Sequence, residues 1–402
     1  MSIPLDRLYH LFHSLCNRKD IVIYCFNPHG SKNLVDLSRL KTYSDANVFK
    51  GKLCNLLMFC HDQEPLDYNL YAGHLDIDDL CRVNPGLADN LGKELLIKNQ
   101  QMLEQLIPNL NLKIVTGGLD WFTPALLIHS EKRSVNLKLY QNNNYIGVYY
   151  WCHAVIAKDW YRYAEYDIDL NKKVSDAKDF LIYNRAWTGV REYRLKFTEL
   201  LIEHELQTFC RTWFNSVDQD HDYRKHKFQN SVFEVSNFVL EQHFKPSNAS
   251  SASSADYNTE DYQSTQIEIV LETLFDDNRL HLTEKSMRPI ACGQPFILAA
   301  THGSLDYLKS YGFETFTPWI DETYDTIQNP IQRLNAIAQE MKRISKLNLN
   351  EKSSLFTQLQ SIAKRNKEKF FDPKWQNMIL EELRCNLTLA CDQFDQTIKY
   401  PL

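Results

Sequence analysis

Glycine is scarce in this chain, at 12 of 402 residues. The glycine-rich phosphate loops have little to be built from, and none is present. No G-x-G-x-x-G occurs, which removes the dinucleotide fingerprint, and no G-x-x-x-x-G-K-[ST], which removes the P-loop NTPases. H-E-x-x-H and G-x-S-x-G are absent too, and with them the zincin and nucleophile-elbow readings. Long apolar runs are also missing. Stretches such as Ile21 to Phe26 and Val148 to Cys152 fall far short of the ~20 residues that cross a bilayer. The opening Met1-Ser-Ile-Pro-Leu-Asp6 has neither a basic nor an apolar region, so no signal peptide is expected. The ten cysteines are scattered, with no C-x-x-C and no Cys/His cluster. Free thiols in a reducing cytoplasm are therefore expected, rather than zinc or disulfides.

Positive charge is in slight deficit. Lys and Arg number 45 against 51 Asp and Glu, a formal charge of -6. That argues against a general polyanion binder, although one basic cleft remains compatible with it.

What is abundant is aromatic and alternating. Aromatics reach 12%, with 21 Tyr and 21 Phe. Short apolar runs alternate with helical stretches, the pattern of a mainly parallel sheet covered by helices. Strands are expected at Ile21 to Phe26, Leu56 to Cys60, Leu112 to Val115, Ala125 to His129 and Gly147 to Ala157. A helix is expected from Lys93 to Ile107, ahead of Pro108. A polar stretch, Asp167 to Lys178, reads as a linker. A second series then follows: strands near Asp179 to Tyr183, Gln207 to Trp213, Gln266 to Glu272, Phe296 to Ala299 and Phe313 to Phe316, with helices at Val190 to His204, Leu282 to Cys292 and Ser304 to Tyr311. From about Ile331 the composition is all-helical. Pro246 to Ser264, rich in Ser, Ala and Asn, reads as a mobile loop inside the second domain.

In open parallel sheets ligands bind beyond the carboxyl ends of the strands, and three clusters stand there. The first, Tyr183-Asn184-Arg185-Ala-Trp-Thr-Gly-Val-Arg191-Glu-Tyr-Arg194, puts three arginines at a strand end and a helix start. Helix N-termini attract anions and guanidinium forks match phosphate oxygens, so a diphosphate is the natural ligand; a solvated helix face is the plainer alternative. The second is Leu282-Thr283-Glu284-Lys285. Thr283 suits a helix cap, Glu284 could accept from ribose hydroxyls and Lys285 could balance phosphate charge; an ordinary cap is the alternative. The third is His61-Asp62-Gln63-Glu64-Pro65, where Asp62 or Glu64 could serve as general base, or simply form a polar turn. His153 is a further polar candidate, or a satisfied core histidine. Asp76-Ile-Asp78 and Asp167-Ile-Asp169 resemble D-x-D strings, yet both lie in polar connections.

At these clusters the chain resembles a known group. Asp179-Phe-Leu-Ile-Tyr-Asn184-Arg185, with Arg191 and Arg194, resembles the N-R…H-R segment of fucosyltransferase-like glycosyltransferases, with Val190-Arg191 standing where that pattern often has His-Arg. Thr283-Glu284-Lys285, then Gly293-Gln-Pro295, resembles their T-E-K…G-x-P segment. His61 to Leu66, and Gly312 to Phe316 with Asp321 to Asp325, look like segments of uncharacterised phage and marine viral glycosyltransferases. The resemblance implies an α/β protein of the GT-B class, with two Rossmann-like domains facing across a cleft and a helical C-terminal extension. Residues 1–170 would bind the acceptor, 171–345 (with the mobile loop 246–264) the nucleotide-sugar donor, and 346–402 would pack across both. It implies sugar transfer from a nucleotide-diphosphate sugar to a hydroxyl of a glycan or of a hydroxymethylated pyrimidine in phage DNA. Asn184, Arg185, Arg191, Arg194, Thr283, Glu284 and Lys285 would hold the donor, with Asp62, Glu64 or His153 as base. No metal or other cofactor is expected, nor a membrane span, and the location would be cytoplasmic, of the host if phage-encoded. The alternative is a non-catalytic carbohydrate-binding protein derived from such an enzyme.

Overall fold

In the computed structural model the described residues are 151–399, except 219, 237–238 and 248–250, together with strands ahead of them. The chain divides into two compact units, Met1–His153 with Asn377–Leu402, and Ala154–Gln376. Both carry a parallel sheet, and the second is helix-rich, so the α/β class holds at that level.

In the first unit, β1 (Ile21–Phe26), β2 (Leu56–His61), β5 (Ala125–His129) and β6 (Tyr145–Tyr149) form one sheet in the order β1-β2-β5-β6. Every neighbouring pair is parallel. β3 (Leu112–Val115) and β4 (Gly118–Trp121) make a separate antiparallel pair. The helix expected at 93–107 lies outside the described residues. The sequence predicts strand over 147–157, but β6 ends at Tyr149 and α1 runs Cys152–Trp160. The reason is periodicity: Trp151, Ala154, Ala157 and Tyr161 are all buried, at the three- and four-residue spacing of a helix face.

The second unit is built on β7 (Lys178–Asn184), β8 (Cys210–Phe214), β9 (Lys245–Pro246), β10 (Thr265–Leu271) and β11 (Phe296–Ala299), in the order β9-β8-β7-β10-β11. All four pairings are parallel. Numbered by appearance the order is 3-2-1-4-5, the order of the open doubly wound sheet. Phe180, Leu181 and Ile182 of β7 and all of β11 are buried, which explains runs without polar alternation: both sheet faces are covered. The covering helices include α2 (Tyr193–Glu203), α4 (Glu284–Cys292), α5 (Ser304–Ser310), α6 (Pro330–Ser345) and α7 (Leu349–Phe371); α8 is Pro373–Lys399. The strand expected at 313–316 is irregular chain outside any helix or strand.

α4 continues through Pro289, which at the sixth helical position removes a single backbone donor. It ends at Gly293, whose φ of 68° is left-handed. There a Cβ would meet Lys367 Cδ at 3.2 Å, so α7 can approach, and Gln360 Nε2 donates to the Gly293 carbonyl at 2.7 Å. α7 opens with a capping box between Asn348 and Glu351, two orphan donors satisfied reciprocally. The Ser- and Ala-rich stretch carries a 3-10 turn at Ser251–Ala255 and a short helix α3 (Thr259–Gln263), and Asp261 and Tyr262 are buried. Residues 167–177 run inside the second unit: the Val174 and Lys178 amides donate to Gln263 and Ser264.

Candidate functional site

From β7 the chain turns first to β8 and β9, then returns to β10 on the other side. Loops leaving the carboxyl ends of β7 and β10 therefore part in opposite directions, and this switch point is where the ligand crevice of such sheets generally lies. The arginine cluster follows β7 and the Thr-Glu-Lys cluster follows β10.

Asn184, the last residue of β7, is fully buried. Its Nδ2 donates to the Arg194 carbonyl at 3.0 Å and to Thr198 Oγ1 at 2.8 Å, tying strand to helix. The next loop is pinned by Asp218, whose Oδ2 accepts from the Trp187 amide (2.7 Å), the Thr188 amide (2.8 Å) and Thr188 Oγ1 (2.8 Å). Gly189 then turns at φ 62°, a conformation glycine adopts without steric cost.

The three arginines differ in how they are engaged. Arg194 is 3% exposed. It donates through Nη1 to the Ala186 carbonyl at 2.5 Å, and through Nη2 to the Leu271 and Glu272 carbonyls at 2.8 and 2.9 Å. It thus clamps the loop after β7 to the end of β10. Arg185 lies over the Tyr183 ring at 4.2 Å, with Arg288 at 4.3 Å from the same ring. Its Nη1 donates to the Ser253 carbonyl at 3.0 Å. Burial, then the nearby Arg288 charge, lowers its pKa from the ordinary arginine value. Arg191 is half-buried; its amide donates to the Thr188 carbonyl at 3.4 Å, and its side chain makes no hydrogen bond or ion pair with another described residue. Its charge reaches Tyr193 and Arg194.

Across the crevice, Glu272 directly follows β10 and is fully buried. Its carboxylate accepts from the Thr283 amide (2.9 Å), Thr283 Oγ1 (2.7 Å), the Ser286 amide (3.2 Å) and Ser286 Oγ (2.5 Å). An internal anion thus sits on the first turn of α4, where the helix dipole favours negative charge. Thr283 is the N-cap, accepting from the Lys285 amide at 3.3 Å. Lys285 Nζ pairs with Glu284 Oε1 at 2.7 Å and donates to Thr283 Oγ1 and Thr273 Oγ1 at 3.2 and 3.4 Å. The Glu284 carbonyl accepts from the Tyr161 hydroxyl, which also donates to the Ser254 carbonyl. The Ser251–Ala255 turn therefore bridges both sides, meeting Arg185 through Ser253 and Tyr161 through Ser254.

Two sets of backbone donors are already filled, the Trp187 and Thr188 amides after β7 by Asp218 and the Thr283 and Ser286 amides at the start of α4 by Glu272. An incoming phosphate must be met by side-chain cations. Arg191 carries no such partner, and Lys285 holds one carboxylate with its side chain 21% exposed. Sequence reasoning missed Asp218, Glu272, Tyr161 and Ser253. Glu272 had one signal, an acid directly after an apolar strand; the other three become visible only when the fold brings them in.

Asp62 and Glu64 lie outside the described residues, as do Asp76 and Asp78. His153 belongs to α1 and is 2% exposed. Asp167 accepts from Thr259 Oγ1 at 2.8 Å and Asp169 pairs with Lys172 at 2.6 Å. Among the described residues no group of three or more His, Cys, Asp or Glu could hold a metal ion, and no helix is long and apolar enough to cross a membrane. Comparison of the chain with protein-family models, with curated proteins and with solved structures finds no match in any of the three.

Proposed function

We propose that the chain is a glycosyltransferase that moves a sugar from a nucleoside-diphosphate sugar to an acceptor hydroxyl. One observation carries the reading. At the carboxyl side of the β7/β10 switch the Arg191 guanidinium has no partner among the described residues, and the Lys285 ammonium rests on Glu284, Thr283 and Thr273, side-chain oxygens that a phosphate can replace, while the Trp187, Thr188, Thr283 and Ser286 amides are filled. Arg191 and Lys285 take the diphosphate, and Glu284 accepts from the ribose hydroxyls. Arg185 joins them when its bond to Ser253 opens. Asn184, Arg194 and Thr283 hold this frame in place. The acceptor oxygen forms its bond to the anomeric carbon while the carbon–oxygen bond to diphosphate breaks. The departing electron pair stays on the diphosphate, where fixed cations lower the barrier most. The acceptor's proton goes to a base, Asp62 or Glu64 by the sequence reading and His153 next. The side-chain cations supply the positive charge, so the reaction needs no metal. The acceptor is a glycan, or a hydroxymethylated pyrimidine in DNA.

Calorimetry with GDP, UDP, CDP, ADP and dTDP tests the reading. One of them is expected to bind, and at a hundredfold excess over Kd to raise stability by about 2.7 kcal/mol. If none binds, the donor site falls and the non-catalytic carbohydrate-binding alternative takes its place.

A further inference from the structure

We propose that a second groove, beyond β11 and apart from the β7/β10 crevice, binds a neutral saccharide. The groove has a volume of about 570 Å³ and lies between α5, the chain segment 317–326 and Arg343 of α6. That volume falls within the range of small-molecule sites, roughly 300–1,000 Å³. Its distinguishing feature is Trp319, which is 40% exposed, whereas Trp151, Trp187 and Trp375 are buried.

The segment carrying Trp319 is held without help from the indole. The amides of Trp319 and Ile320 donate to the Phe316 carbonyl at 2.9 and 3.0 Å. Glu322 accepts from the Phe316 amide at 2.6 Å and from Thr317 Oγ1 at 2.7 Å. The Asp321 amide donates to Glu340 at 3.0 Å, and Arg343 Nη2 donates to the Trp319 carbonyl at 3.0 Å. Ile320, 1% exposed, is the apolar anchor. The indole is thus presented by a preorganised segment, and an exposed aromatic on a rigid frame in a concavity is a recognition feature.

Around the ring stand polar groups of both signs with capacity to spare. Asp306 and Lys309 pair at 3.1 Å with side chains 83% and 50% exposed, and the Arg343 side chain is 46% exposed. A pyranose is amphipathic in the matching way. Its C–H face lies on the negative π-face of the indole, and its ring hydroxyls both donate to a carboxylate and accept from an ammonium or guanidinium. Charge selects a neutral sugar. Four carboxylates line the groove, those of Asp306, Asp321, Glu322 and Asp325, against two cations, Lys309 and Arg343. A phosphate, nucleotide or acidic sugar would meet net repulsion.

This assignment does not rest on the donor reading, and its test keeps the two apart. The intact chain is titrated with methyl glycosides of glucose, galactose, mannose and fucose, followed by saturation-transfer NMR and tryptophan fluorescence. At least one is expected to bind saturably in the millimolar range, as expected for a small neutral ligand. Trp319→Ala is expected to weaken it at least about tenfold, as is the Asp306→Ala, Lys309→Ala pair, with thermal melting unchanged in both. Arg191→Ala is expected to leave it unaltered. Should Trp319→Ala lower the melting temperature, the α5 pair alone decides. The proposal is overturned if no glycoside binds saturably, if the α5 pair keeps wild-type affinity, or if a sugar phosphate binds more tightly than its neutral parent.

Discussion

Three arginines within ten positions look interchangeable in the sequence, but their donors are committed differently. Arg194 spends three contacts on main-chain carbonyls of Ala186, Leu271 and Glu272. Truncating it takes this donor from the buried Ala186 and Leu271 carbonyls, while Glu272 keeps the Tyr193 hydroxyl, so Arg194→Ala is expected to lose stability by about 2 kcal/mol or more in urea denaturation. Arg191→Ala should behave oppositely. Its melting temperature should match the wild type, while kcat/KM falls more than about tenfold, the size of a lost charge-assisted contact. Unchanged turnover in Arg191→Ala would remove the diphosphate from this crevice. The strand end and helix start that gather the three residues were legible from spacing. Which guanidinium stays available was not, because the Leu271 carbonyl that engages Arg194 lies 77 residues away. Asp325 offers a pH test at the same scale. It is buried, and burial raises its carboxyl from 3.8 to about 6, although the Leu305 and Ser304 amides it accepts from work against the rise. A folded pKa above the unfolded one means the folded protein holds a proton that the unfolded chain has released. Stability from this group is therefore highest below pH 3.8 and falls as pH rises to about 6. In Asp325→Asn that fall disappears. The stability difference between wild type and variant, measured in urea at pH 4 and pH 7, should shift toward the variant by roughly 2 kcal/mol.

At the scale of elements, the start of α4 is the decisive piece of construction. Glu272 leaves β10 and immediately takes four donors from Thr283 and Ser286. Strand end and helix start are thereby locked, and Lys285 is held at the crevice. Glu272→Gln keeps the volume but removes the charge that meets the helix dipole and turns one acceptor into a donor facing donors. It is expected to cost about 2 kcal/mol or more, and to weaken nucleotide binding through displacement of Lys285. A variant with wild-type melting and wild-type affinity would contradict the locking role. Elements whose pattern was one-dimensional were legible: β1 and β11 are unbroken apolar runs, and α6 to α8 carry helical composition. Elements decided by tertiary partners were less so. The 147–157 stretch is apolar enough to read as strand, and only the spacing of its buried residues marks α1. The Ser- and Ala-rich stretch is polar in composition, yet Tyr262 reaches Glu268 at 2.7 Å and the Arg211 guanidinium reaches Asp261 at 2.6 Å. Those partners supply what composition lacks.

At the scale of the whole molecule, net charge separates the two acceptors of the proposed transfer. A DNA acceptor would have to be drawn to a chain of formal charge -6 by a local basic surface. Of the basic stretch at 224–227, Arg224 is already paired with Asp222 and Glu241, and His226 with Glu192. A glycan acceptor requires no such surface. The two cases part in salt. Neutralising six to ten phosphates on DNA makes affinity fall by about 10³ to 10⁵ between 50 and 200 mM salt. A neutral glycan releases no counterions, and its KM should stay within about twofold over the same range. The charge balance predicts the second behaviour. The measurement is acceptor KM at several salt concentrations with the donor saturating, so that screening at the diphosphate site does not enter. A steep salt slope with hydroxymethylated DNA, beside negligible transfer to glycans, would instead require a basic surface outside the described residues and would make the modified base the acceptor.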